Sequence, residues 1–193
     1  MMALASRAAT TATRPAAAWL VAIGLVFGVA APVSARSVTA GEFAGLSEKV
    51  RLFEAAFAKA DFGQVVDILP KRLLTAMSEK YGTTVDELRA KMIATMAKAT
   101  AQMVFESVVI DVQTAQPREL ADGEPFFILP TSLKLLVQDK RYAIAAHTVA
   151  LIEEEDWVLV RLNDDAMIEL FRKAYPLFAG VEFPRETVEV LEH

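Results

Sequence analysis

The stretch RYAIAAHTVALIEEEDWVLVRL, Arg141–Leu162, has the composition of two β-strands joined by an acidic turn. It carries the only internal histidine of the chain, His147, beside an arginine and a tryptophan. A loop of two or four residues within EEED pairs Thr148 with Arg161. This hairpin therefore fixes the two faces of the predicted sheet, and with them the side on which His147 lies.

A second tight turn, predicted at Asp139 and Lys140, joins this hairpin to the preceding strand and pairs Leu135 with Ile144. Alternation along the strands then gives an inner face that should meet the helices. It comprises Leu133, Leu135, Val137, Tyr142, Ile144, Ala146, Thr148, Ala150, Ile152, Trp157, Leu159 and Arg161. His147 falls on the outer face, whose apolar end consists of Val149, Leu151, Val158, Val160 and Leu162.

Helical patterns precede these strands. A capping box at Thr39–Glu42 opens a helix with apolar residues at Phe43, Leu46, Val50, Phe53, Phe57 and Ala60. A helix after Pro70 is predicted to stop at Gly82, and a second capping box, Thr84–Glu87, opens the next one. Its inner face is marked by Leu88, Met92, Met96 and Met103, a stripe that we interpret as core rather than as an adaptable binding surface.

This order of elements predicts an α+β fold. From Met103 the period of the apolar residues changes to two, and DDAMIELFRKAY then predicts a last helix that Asp164 and Asp165 begin. Helices first and strands second favour amino-terminal helices packed on one face of an antiparallel sheet, with a carboxy-terminal helix after it. The four acids of EEED are interpreted as a solvated turn rather than a calcium loop.

Residues 1–35 have the pattern of a secretory signal peptide. Arg7 and Arg14 precede the apolar run AAAWLVAIGLVFGVAA, and small residues predict cleavage after Ala35. We therefore expect residues 36–193 to form one domain in the periplasm or outside a bacterial cell, with no integral membrane segment. An uncleaved anchor helix and a transit peptide are the alternatives. The final Leu191–His193 matches the remnant of an expression tag.

Composition excludes several function classes. Residues 1–35 hold two arginines and no acid, so their removal takes the net charge from −5 to −7, which argues against nucleic acid as a partner. The chain has no cysteine and two histidines, too few for a thiolate or histidine-rich metal site. It also lacks the common nucleotide-binding, zinc-protease and serine-hydrolase motifs. We expect no metal and no cofactor.

Arg161 is the most suggestive polar residue, because a cation on an apolar inner face needs an anionic partner. That partner is a carboxylate, for which Glu106 in the VFESVVIDV strand is a candidate, a carbonyl oxygen or a ligand anion. The alternative is a position at the rim, where the guanidinium extends into water and Trp157 only fills the core. Tyr142 and Trp157 share the inner face with Arg161. We therefore expect Tyr142, Trp157, Arg161 and Glu106 to line a ligand site, and we expect His147 to be structural unless a bulge moves it beside Arg161.

The order of elements resembles the nuclear transport factor 2-like superfamily. The resemblance lies in AKADFGQVVDILP after the first helix and in the long strands that end in DWVLVRL, and it covers most of residues 42–162. It implies helices on a curved, cone-like sheet. Members include lyases and isomerases with an Asp/His pair and many non-catalytic binding or dimerisation modules. The chain departs from the pattern by placing a helix and FAGVEFP after the last long strand.

Together these features predict an exported, non-enzymatic protein that binds a small apolar or lipid-like ligand, or a protein partner. One alternative is a small lyase or isomerase with Glu106 or His147 as its base. A second alternative is a structural homodimer, in which the apolar end of the outer face packs against its copy.

Overall fold

A computed structural model of the chain describes residues 36–191, so the predicted signal peptide and the last two residues lie outside the described range. Its elements follow in chain order: α1 Ala40–Ala58, α2 Phe62–Asp67, α3 Lys71–Tyr81, α4 Val85–Thr100, β1 Met103–Ile110, β2 Arg118–Glu119, β3 Pro125–Val137, β4 Lys140–Glu153, β5 Asp156–Arg161, α5 Asp165–Ala174, a 3₁₀ turn Pro176–Phe178 and β6 Thr187–Leu191. The strands form an antiparallel sheet in the order β1-β3-β4-β5, curled into a half-barrel. The predicted α+β class is confirmed.

The helix ends follow from local sequence. Both predicted capping boxes are present, Thr39 with Glu42 on α1 and Thr84 with Glu87 on α4. The Thr39 amide, the Arg36 guanidinium and the Thr39 hydroxyl lower the pKa of Glu42 to about 2, so this carboxylate is ionised at neutral pH. Gly82, with φ +61°, ends α3 in the left-handed conformation that glycine adopts at little cost. Asp164 caps α5.

The last residue of each of two predicted helical stripes lies outside the helix that the stripe describes. Ala60 follows the end of α1 at Ala58 and has φ +54°, in an exposed turn before α2. Met103 begins β1 rather than extending the buried face of α4. Both residues continue a helical spacing by chance, because a turn separates them from the helix that the spacing describes.

The β4–β5 register is the predicted one, with Thr148 opposite Arg161. The β3–β4 register is two residues away from the prediction, because the turn lies at Gln138–Asp139 and Leu135 consequently faces Tyr142. Both turn residues have positive φ, a region that aspartate tolerates better than the lysine of the predicted turn. A slip of two preserves side-chain alternation, so the predicted inner and outer faces are correct.

Helices cover both faces of the sheet, and the prediction of helices on one face is wrong. Phe127 packs with Leu46 of α1 on the inner face, whereas its neighbour Phe126 packs with Leu74 of α3 and Phe171 of α5 on the outer face. From Phe126, the first residues of β3 are apolar on both faces of the sheet. Both faces therefore need a cover.

The predicted homodimer surface is part of the core. Val149, Leu151, Val160 and Leu162 are buried in the same cluster as α3 and α5, and Val158 packs against it. The aromatic centre of this cluster is Phe171, whose ring centroid lies 4.9 Å from those of Tyr175 and Phe178. The apolar end of the outer face is thus covered within one chain and is not available to a second copy.

The chain returns to the sheet after α5. Its last strand, β6, pairs with β4 over Arg141–Ala145, beyond the end of β5. The sequence pattern after the last long strand predicts a helix and no further strand, so β6 is a correction to that expectation. None of the helices within residues 36–191 has both the length and the apolar composition of a bilayer span.

Candidate functional site

Trp157, the first of the predicted ligand-binding residues, is a core residue. Its indole nitrogen donates a hydrogen bond of 2.8 Å to the carbonyl oxygen of Glu42 on α1. Its ring lies edge-on to Phe127, with centroids 5.7 Å apart, and Gly45 of α1 approaches it closely enough that an added Cβ would lie 3.5 Å away. This tryptophan anchors α1 on the sheet.

Arg161 has a partner within the chain. Its guanidinium donates to Glu186, which precedes β6, so its partner is a carboxylate of the chain, as one of the expectations had it, but not Glu106. Trp157 lies four residues away on β5, about 13 Å along the strand. Tyr142 shares the inner face, but it lies six residues from Thr148, the partner of Arg161, which is about 20 Å along β4. The structure does not bring these residues into one cavity.

Glu106 lies on the other side of the sheet. It sits at a bulge of β1, between Phe105 and Ser107, and its carboxylate accepts a hydrogen bond of 2.8 Å from Nε of Arg141. The predicted pairing with Arg161 is therefore wrong. Both partners are partly exposed, so the ion pair contributes little to stability.

His147 faces away from Arg161, as predicted, and borders a shallow cavity of about 280 Å³. Burial lowers the pKa of His147, which favours the neutral imidazole. Among the described residues that line this cavity, the ionisable side chains are His147 and Arg118, with no carboxylate. A histidine base is ordinarily oriented by an acidic partner, and this arrangement does not supply one.

A larger cavity, of about 410 Å³, lies beside Tyr175 and is organised by Glu153. The Glu153 carboxylate accepts hydrogen bonds from the backbone amides of Lys71 (2.7 Å) and Arg72 (3.1 Å), and from the hydroxyl of Tyr175 (2.9 Å). Helix α3 begins after Pro70, which has no side chain to cap it. Glu153 therefore caps α3 from the β4–β5 hairpin.

The polar groups of this cavity are used within the chain. Burial first, and then the hydrogen bond to Glu153, raises the pKa of Tyr175, which keeps its hydroxyl protonated. The guanidinium carbon of Arg72 lies 5.5 Å from the centre of the Tyr175 ring, and Lys71 pairs with Glu154. We interpret the cavity as a structural junction between α3, α5 and the hairpin.

The third feature is a groove between α3 and α4, which we call the methionine groove. It has a volume of about 330 Å³ and is lined by Met77, Tyr81, Thr83, Leu88, Lys91, Met92, Thr95 and Met96. Helical spacing brings these residues together, because residues three and four apart lie on one face of a helix. Leu88, Met92 and Met96 form one stripe of α4, and Met77 and Tyr81 form the facing stripe of α3.

The floor of the methionine groove is part of two core clusters. Met77, Leu88 and Met92 belong to or pack against the cluster around Phe171, and Met96 packs against the cluster around Phe62. Met92 and Met96 are only half-buried, and the Tyr81 side chain at the edge is 62% exposed. The prediction that the methionine stripe is simply core is therefore incomplete.

The polar side of the groove is formed by Lys91 and Thr95, both exposed and four residues apart on α4. Lys91 is the one charged residue lining the groove in the described part of the chain. At the end of the groove where α4 begins, Thr83 donates a hydrogen bond of 2.7 Å to Glu87. This bond, together with the Thr84 amide, lowers the pKa of Glu87. Glu87 thus belongs to the capping box rather than to the groove.

Comparisons with protein-family models, with curated proteins and with solved structures found no match to this chain. The chemistry of its surfaces is therefore the basis for assigning a function. Of the three features, the methionine groove has the most apolar lining, with Lys91 and Thr95 as polar groups at its edge, which is the usual character of a small-molecule site.

Proposed function

We propose that residues 36–193 form an exported, non-enzymatic protein that binds a small, partly apolar ligand in the methionine groove. The observation that carries this proposal is the half-buried pair Met92 and Met96 facing the exposed ring of Tyr81. When a ligand covers apolar side chains that are partly exposed to water, the free energy of the complex falls. Export is proposed from the pattern of residues 1–35, and membership of the nuclear transport factor 2-like superfamily from the order of elements.

Methionine suits such a role because its unbranched side chain adapts to ligands of different shape. Three methionines line the groove, and its volume of about 330 Å³ lies within the range of roughly 300 to 1,000 Å³ of small-molecule sites. The groove is open along one side, so a ligand enters and leaves without unfolding of either helix. These features favour reversible binding of an apolar molecule over catalysis.

The enzyme alternative has weaker support. Its two candidate bases lie apart, with Glu106 paired to Arg141 and His147 beside a cavity whose described residues include no acid. Neither base therefore has the oriented partner that general acid–base catalysis uses. The binding proposal needs no such pair.

Binding of a neutral apolar dye tests the proposal. Tyr81→Ser removes one wall of the groove, and we expect it to weaken Nile red binding about five-fold, since an aromatic wall contributes about 1 kcal/mol beyond its area. Leu177→Ser is the matched control, because Leu177 is also an exposed apolar residue but lies at the Tyr175 cavity. Fluorescence titration of the wild type and both variants gives the three dissociation constants.

Two results would count against the groove. Equal binding by Tyr81→Ser and the wild type would place the dye elsewhere, and weaker binding by Leu177→Ser alone would place it at the Tyr175 cavity. Because Tyr81 is 62% and Leu177 47% exposed, neither change should alter the melting temperature much.

A further inference from the structure

We infer that the ligand of the methionine groove is a single-chain amphiphile with one anionic headgroup, such as a medium-chain carboxylate, whose charge lies against Lys91. The inference rests on the proposed function, since it names the class of ligand for the same groove. It is carried by the arrangement of charge and apolar surface on α4.

The headgroup position follows from helix geometry. Lys91 and Thr95 are four residues apart and are therefore neighbours on the surface of α4. An ammonium group and a hydroxyl group at this spacing offer two hydrogen-bond donors to one carboxylate. Both side chains are exposed on α4 and border the groove, so a ligand in the groove can reach them.

The tail position follows from the adjoining stripe. Leu88 and Met96 are eight residues apart on α4, which is about 12 Å along the helix axis. Met92 lies between them, and Met77 and Tyr81 of α3 form the opposite wall. An extended medium-chain alkyl group fits this length and would cover the half-buried methionines.

Charge distinguishes an anion from other headgroups. Lys91 is the one charged residue among the described lining residues, and Lys80 lies nearby, with its ammonium 5.9 Å from the centre of the Tyr81 ring. The carboxylate of Glu87, at the end of the groove where α4 begins, is held in the α4 capping box by Thr83 and Thr84. In a chain of net charge −5, this rim gives an anionic ligand a local cationic partner.

Three ligands that each contain a ten-carbon chain test the headgroup. We expect decanoate to bind about three- to five-fold more tightly than decanol, the gain typical of an exposed ion pair, and decyltrimethylammonium to bind more weakly than decanol. Lys91→Gln should abolish the preference for decanoate over decanol. Lys98→Gln, the same charge change at an exposed position of α4 outside the groove, should retain the preference.

The outcomes separate the two proposals. If none of the three ligands binds, the proposed function itself is overturned. Equal binding of decanoate and decanol, or a preference that survives Lys91→Gln, would overturn the anionic headgroup and leave apolar binding in place. The preference should also shrink in about 1 M salt, where the screening length is roughly 3 Å.

Discussion

Phe171→Ala is expected to lower the free energy of unfolding by about 3–5 kcal/mol, the usual loss for a buried aromatic residue. Phe171 is 0% exposed and its ring contacts those of Tyr175, Phe178 and Phe183. The side chain also joins α5 to the outer face of the sheet, because it packs in the same cluster as Phe126. Its removal leaves a cavity that several elements would have to close together.

Urea unfolding at pH 7 measures this loss. Leu177→Ala is the control, since Leu177 lies in the neighbouring 3₁₀ turn but is 47% exposed, and we expect it to cost less than about 1 kcal/mol. A similar small loss in Phe171→Ala would show that the outer-face core does not hold the fold together. Should Phe171→Ala fail to fold, Phe171→Leu should still give a measurable, smaller loss.

Glu153→Ala is expected to cost about 2–3 kcal/mol. The change removes the carboxylate that caps α3, a loss of about 1 kcal/mol for a helix cap, and it leaves the partly buried hydroxyl of Tyr175 without its acceptor, a further loss of about 1–2 kcal/mol. Glu153→Gln retains one acceptor oxygen and should lose about half as much.

Glu154→Ala is the matched control for this prediction. Glu154 is the next residue of the same turn, and it pairs with Lys71 through exposed side chains, an interaction worth less than about 1 kcal/mol. Urea unfolding of the three variants under one condition compares them directly. Equal losses from Glu153→Ala and Glu154→Ala would contradict the role of Glu153 as the cap of α3.

Features set by neighbouring residues could be predicted from the sequence. The capping boxes Thr39–Glu42 and Thr84–Glu87 and the end of α3 at Gly82 depend on a few adjacent residues, and all three are present. The β4–β5 register could be predicted because the turn had to lie within four consecutive acids. The β3–β4 register was missed by two residues because Gln138, Asp139 and Lys140 offer two turns of equal length.

Features set by distant residues could not be predicted in the same way. Which helix covers which face depends on packing that no local pattern encodes, so the burial of Val149 and Leu151 beneath α3 and α5 was missed. One signal was available for Glu153: helix α3 starts with Pro70 and two basic residues, with no side chain to cap it. Such a helix needs an acceptor from elsewhere.

Part of the candidate site could be predicted from the sequence. Leu88, Met92 and Met96 were identified as one apolar stripe, and their spacing predicted the correct face of α4. Their partial exposure depends on how closely α3 approaches, which is a tertiary property. Lys91 and Thr95 were not singled out, although their positions beside the stripe follow from the same helical period.

Methyl NMR of residues 36–193, labelled at the methionine methyl groups, tests most directly whether the methionine groove binds a ligand. Residues 36–193 contain five methionines, of which Met77, Met92 and Met96 line the groove, whereas Met103 and Met167 lie in β1 and α5. Addition of decanoate should shift the first three signals and leave the other two in place. Shifts confined to Met103 or Met167, or no shift at saturating decanoate, would contradict binding in this groove.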